Sequence, residues 1–213
     1  MKSINIACIV EGYGEVDSLP ILLRRIVPTI DPAIVLHIAQ PTARVSRSTL
    51  IKPQELENAV IRAAQKVEHP GAILILLDAD QDCPKSFAPR LLLRAQTARS
   101  DMPIALVLAN KEYEAWFLAA AESLRGKRGL YETLQPPNDP EAISGAKEWL
   151  TKHMNRGHTY KPTVDQAALT SLFDLQAART CRSFDKLYRD IERLLSEAAS
   201  GIPAFPPIDD VME

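Results

Sequence analysis

The chain has 213 residues, of which 46% are apolar and 24% charged, enough for one sizeable globular core. No apolar run reaches the roughly 18 residues of a membrane span, and MKSINIACIVEG is too soon interrupted by Glu11 for a signal peptide, so a cytoplasmic protein without membrane association is expected. A net charge of −2 argues against a broad nucleic-acid-coating surface but is compatible with an enzyme that grips phosphates locally.

Residues 3–10 (SINIACIV) predict a first strand, with Cys8 as a small core residue. Asp17 or Ser18 is expected to cap the next helix, with Pro20 in its first turn and Pro28 at its end. Leu19, Leu22, Leu23, Ile26 and Val27 recur at helical spacing along it. Residues 33–38 predict a second strand. Residues 40–53 read as a loop that carries Arg44, Arg47 and Lys52 and no acid. Pro53 is expected to open a helix burying Leu56, Ala59, Val60, Ala63, Ala64 and Val67.

The most apolar stretch, GAILILLD at 71–78, predicts a strand buried on both faces. A helix over about 86–99, a strand over 103–109 and a helix on EYEAWFLAAAESL follow. Strands alternating with helices predict an α/β fold, a parallel sheet flanked by helices, over residues 1–125. Residues 126–213 read as helix and loop, a helical extension packed on that core. Its helices are expected over about 140–154 and after Ser183, which would cap a last helix with Phe184, Leu187, Tyr188, Ile191, Leu194 and Leu195 on one face. The tail GIPAFPPIDDVME reads as irregular. The cysteines, Cys8, Cys83 and Cys181, show no CxxC spacing, so neither a disulfide framework nor a zinc site is expected.

Acids gather where strands end. Glu11 follows the first strand and Glu15 the glycines after it, whereas Asp78, Asp80 and Asp82 follow the strand 71–78. In a parallel sheet the carboxyl ends of all strands face one edge, where ligands bind. If those two strands are neighbours, about 4.8 Å apart, then Glu11, Asp78 and Asp80 would reach one cation. Crowded carboxylates repel each other unless a hard divalent ion such as Mg²⁺ or Mn²⁺ compensates them. Capping or solvated acids are the plainer reading, and for Asp82 taken alone it is the expected one.

An EF-hand loop from Asp78 fails on Cys83 and Pro89, which stand where glycine and glutamate are required. A G-x-G-x-x-G fingerprint from Gly12 fails on Asp17. A phosphatase with Asp78 as nucleophile and Asp80 as acid remains open, though it leaves Glu11 and Glu15 without a role.

A second cluster, ANKEYEAWF, brings Lys111, Glu112 and Glu114 to the same edge. Lys111 would stabilise transition-state charge or protonate a leaving group, and Glu112 would add a metal ligand or hold Lys111; the alternative is a solvated helix start anchored by Trp116 and Phe117. Arg44, Arg47 and Lys52 would clamp phosphate, or form an ordinary basic surface loop. His37, His69, His153 and His158 form no set.

The pairing of VEGYGE with LLDADQD resembles the Toprim fold, the Rossmann-like catalytic domain shared by topoisomerases, bacterial primases and the overcoming-lysogenization-defect nucleases. More narrowly, VEGYGEVDSLPILLRRI, ARVSRSTLIKPQEL, ILILLDADQDCP, ANKEYEAWFLAAAESLRG, DPEAISGAKEWL and RSFDKL resemble the Toprim-related domain-of-unknown-function family 4276. The resemblance implies Mg²⁺ on Glu11, Asp78 and Asp80, with Glu15 and Asp82 as further acids, and hydrolysis of a phosphodiester in DNA or RNA. It also implies an ATPase partner and a setting in phage defence. No tyrosine-nucleophile domain, zinc finger or GxxxxGK[ST] motif is present, which disfavours topoisomerase and complete primase roles.

The expectation is therefore a metal-dependent nuclease in which Glu11, Asp78 and Asp80 hold the ion, Glu15 is a ligand or general base, and Lys111 stabilises charge. A non-catalytic, metal-stabilised partner of an ATPase and a small-molecule phosphotransfer enzyme are the alternatives.

Overall fold

The computed structural model describes residues 2–201. Its strands are β1 (Lys2–Val10), β2 (Ile34–Ile38), β3 (Ala43–Arg44), β4 (Gly71–Asp78) and β5 (Ile104–Ala109). They form one parallel sheet in the order β2-β1-β4-β5, with β3 pairing β1 beyond the end of β2. The α/β fold, with helices flanking a parallel sheet of five strands, is therefore as expected.

Alternation along the strands sends side chains into two cores. Ile4, Ile6, Cys8 and Val10 of β1 join Leu74 and Leu76 of β4 beneath α1 (Tyr13–Ile30) and α9 (Arg182–Ser200). Ala7 and Ile9 join Ile73, Ile75 and Leu77 beneath α3 (Glu55–Ala64) and α4 (Pro84–Ala98). β4 is thus buried on both faces. Phe173 and Phe184, from the C-terminal third, stack edge-on in the first core, where Trp116 and Phe117 also lie.

The helix after β1 starts earlier than expected, at Tyr13, with Gly12 as its N-cap and no side-chain cap. Ser18 is inside it, its hydroxyl donating to the Gly14 carbonyl at 2.7 Å. Pro20 and Pro28 are also internal, so neither marks a boundary. The apolar face Leu19–Val27 is fully buried, and at about 1.5–3 kcal/mol per large side chain this outweighs the missing backbone bonds.

The stretch 40–53 is not all loop, since it contains β3 and the short helix α2 (Arg47–Leu50). Helix α3 begins at Glu55, just beyond Pro53. The segment 112–124 is only partly α-helical, over α5 (Ala115–Ala119), followed by a 3₁₀ turn at Ala121–Leu124. The helix expected over about 140–154 shrinks to a 3₁₀ turn at Pro140–Ala142 and α6 (Ala146–Lys152).

Two short helices, α7 (Ala167–Thr170) and α8 (Leu175–Ala178), precede α9. Ser183 does not cap α9. Glu141 does so from a distant segment, accepting the Ser183 amide at 2.8 Å and the Arg182 amide at 3.2 Å. The Ser183 hydroxyl instead accepts the Trp116 indole N–H at 2.9 Å. The apolar face read for α9 is buried. The C-terminal tail, read as irregular, lies outside the described residues apart from Gly201. Among the described residues, no helix is long and apolar enough to cross a membrane.

Candidate active site

Register brings the acids to one edge. β1 and β4 are parallel neighbours with Val10 opposite Leu76, so Glu11 follows β1 at the level of Leu77, one residue short of Asp78 at the end of β4. After Glu11 the chain turns through Gly12 into the first turn of α1, which carries Glu15. A side chain at either glycine would displace a buried polar group from its place. A Cβ on Gly12 would lie 2.2 Å from Glu15 Oε2, and one on Gly14 would lie 1.7 Å from Gln166 Oε1. Glu15 thus folds back over the turn, buried, and accepts a hydrogen bond from Gln166 Nε2 at 2.9 Å.

Asp78 sits in a second group. Its Oδ1 accepts the Tyr113 amide at 2.8 Å and its Oδ2 faces Lys147 Nζ at 3.8 Å. Lys147, near the start of α6, also lies 3.5 Å from Glu112 and 3.6 Å from Glu114. Glu112 holds that helix in place by accepting the Ala146 amide at 2.9 Å. Glu114 has no exposed surface and accepts the Tyr160 hydroxyl at 2.9 Å.

Burial, then the neighbouring Glu114 carboxylate, raises Asp78 well above the usual carboxylate range against the pull of Lys147. Burial likewise raises Glu114 to about 7, opposed by Lys147 and Tyr160. Burial works against the Lys147 ammonium, but Glu114, Asp78, Glu112 and Glu15 together raise it above its ordinary value.

Asp80 and Asp82 form the outer group. Arg47 pairs with both carboxylates, 3.4 Å from Asp80, and its guanidinium lies over the Phe87 ring. Asp80 adopts φ +52°, an unusual conformation for a residue with a side chain, and its amide donates to the Lys111 carbonyl at 3.0 Å. Glu11 is raised by burial and then by the Asp80 carboxylate, so it belongs electrostatically with the outer group.

Of the basic residues read as phosphate ligands, Arg47 is at the acids, Arg44 lies 4.0 Å over the Tyr13 ring, and Lys52 is exposed, with its carbonyl held by Arg94. Lys111 Nζ donates to Ser144 Oγ at 2.7 Å, and Lys147 rather than Lys111 makes the ion pairs with the inner acids. Lys147, Tyr160 and Gln166 were not legible as site residues. Each lies far along the chain from the acids it meets, with no spacing that links them. Glu114 was legible as part of the cluster but not as its most buried member.

The donor set is of the kind a hard divalent cation takes, all carboxylate oxygen. Oε2 of Glu11 and of Glu15 are buried without a hydrogen-bond partner, as atoms awaiting a further ligand would be, whereas Oε2 of Glu114 has Lys147 3.6 Å away. The arrangement is not preassembled, however. Among the described residues, no three or more His, Cys, Asp or Glu side chains are grouped so as to hold a metal ion. Arg47 and Lys147 supply the compensating charge instead. The residues therefore fit a metal in chemistry, and to fit it in geometry Asp80 would have to leave Arg47 and Asp78 would have to leave Lys147.

The sequence model of a family described as Domain of unknown function (DUF4276) matches residues 10–192, which include all of these acids. Comparison with curated proteins and with solved structures gave no match.

Proposed function

The chain belongs to the DUF4276 family, and from that premise we propose that it is a Toprim-type nuclease that hydrolyses phosphodiesters of DNA or RNA with Mg²⁺ or Mn²⁺. The observation that carries this reading is that Glu11 and Asp78 end neighbouring parallel strands, β1 and β4, at one carboxyl edge, with Asp80 close enough to perturb Glu11. Glu11, Asp78 and Asp80 would hold the ion, with Glu15, Asp82 and Glu112 around them. When bound, the ion would neutralise phosphate charge and lower the pKa of an attacking water.

The chain's own residues do the rest. Gln166 holds Glu15 through Oε1, and Glu15 would accept a proton on its unpartnered Oε2 or act as a further ligand. Arg47, drawn from Asp80 and Asp82 towards a substrate phosphate, would clamp it in bidentate fashion. The proposal includes an ATPase partner and a role in phage defence, both on the resemblance to overcoming-lysogenization-defect nucleases.

Two readings compete. A phosphatase with Asp78 as nucleophile is disfavoured because Asp78 is tied by the Tyr113 amide and faces Lys147. A non-catalytic partner of an ATPase is favoured by one observation, the compensation of the acids by Arg47 and Lys147. Incubation with plasmid, single-stranded DNA and RNA in Mg²⁺ or Mn²⁺ separates them. Cleavage that falls at least about 100-fold in Glu11→Gln and Asp80→Asn supports the nuclease. Undiminished cleavage in both variants, or metal-dependent melting without cleavage in the presence of an ATPase partner, contradicts it.

A further inference from the structure

Tyr13 stands between the two site glutamates in Glu11-Gly-Tyr-Gly-Glu15, yet the site as described makes no use of it. It is the first residue of α1 and, at 65% exposed, the most exposed large apolar side chain among the described residues. Its flanking glycines are explained by the packing of Glu15 and Gln166, whereas burial does not explain the ring between them. Arg44 lies over one face with its guanidinium 4.0 Å from the ring centroid, held there because β3 pairs Arg44 with Val10. With that face covered and most of the ring still exposed, the opposite face is open to solvent.

We infer that Tyr13 is a stacking platform for an unpaired nucleobase, with Arg44 beside it to meet the adjoining phosphate, so that the substrate class is single-stranded nucleic acid. This rests on the nuclease reading above and deepens it. An aromatic face binds any base without regard to sequence, provided that the base is out of a duplex stack. A cation over the ring adds both rigidity and charge. In a duplex the bases are stacked on one another, and the ring would meet only backbone.

Binding of labelled oligodeoxythymidine, oligouridine and a duplex of equal length, followed by fluorescence anisotropy in Ca²⁺ rather than Mg²⁺, tests this apart from cleavage. Wild type should bind one or both single strands more tightly than duplex. Tyr13→Ala should weaken single-strand binding about tenfold and duplex binding by less than about twofold, and Tyr13→Trp should restore the first. Single-strand binding unchanged in Tyr13→Ala, an equal loss on duplex, or failure of Tyr13→Trp overturns the inference and leaves the nuclease reading intact. Absence of binding to every strand by wild type overturns both.

Discussion

Lys147 faces Asp78, Glu112 and Glu114 at 3.8, 3.5 and 3.6 Å and supplies the positive charge of the inner acid group. Removing it leaves fully buried Glu114 with only the Tyr160 hydroxyl. An unpaired buried charge is costly, but Lys147 is about one-third exposed and Glu114 can take up a proton near its raised pKa of about 7. Lys147→Met should therefore destabilise the protein by about 1–3 kcal/mol at pH 8, measured by urea unfolding, with Lys147→Arg recovering part of the loss. A change within about 0.5 kcal/mol would mean that the cluster is solvated and not compensated by Lys147.

At this scale the sequence was legible only in part. Glu11, Asp78 and Asp80 stood out because each follows an apolar strand. Lys147 did not, since the side chain that compensates Asp78, Glu112 and Glu114 arrives through the third dimension.

The element that carries Arg47 is held from behind. Arg94 of α4 donates to both Glu57 oxygens, at 2.7 and 2.8 Å, and to the Ile51 and Lys52 carbonyls at 3.1 and 2.7 Å. This ties the stretch from α2 to α3 against α4. The hydrogen bonds from Arg94 hold the Glu57 carboxyl below its ordinary 4.5. A carboxylate with a lowered folded pKa contributes stability that is present above its unfolded pKa and is lost as pH falls through the folded value.

Arg94→Met should thus cost about 1 kcal/mol at pH 7, and its gap to wild type should narrow as pH is taken below 4.5 in thermal melts. Part of the gap should persist at low pH, because the two carbonyl contacts do not titrate. A gap that widens on acidification would contradict this arrangement. Elements with strong periodicity, such as β4 and α9, were legible to within a few residues. The start of α1 was not, because Gly12 caps it without a side chain, and α2 was not, because a helix of one turn leaves no period to read.

Across the whole molecule, the two parts of the chain divide the work. The sheet and its connections place the acids along one edge, while the C-terminal residues bring Lys147, Tyr160 and Gln166 to meet them. The same C-terminal residues enter the core through Phe173 and Phe184 beside Trp116 and Phe117. Parallel pairing followed from the alternation of apolar runs with helices, whereas the strand order β2-β1-β4-β5 came only with the fold. The closure of the site followed from nothing local, which is why its balance of charge emerged only with the fold.

The central claim is that these carboxylates take a divalent ion once Arg47 lets go of Asp80 and Lys147 of Asp78. A crystal structure of the protein grown with Mn²⁺, with anomalous scattering used to locate the metal, tests it most directly. The account predicts a manganese peak among Glu11, Asp78 and Asp80 with the Arg47 side chain swung away from Asp80 and Asp82. An ordered site without such a peak, Arg47 still bridging the two aspartates at saturating Mn²⁺, would contradict it.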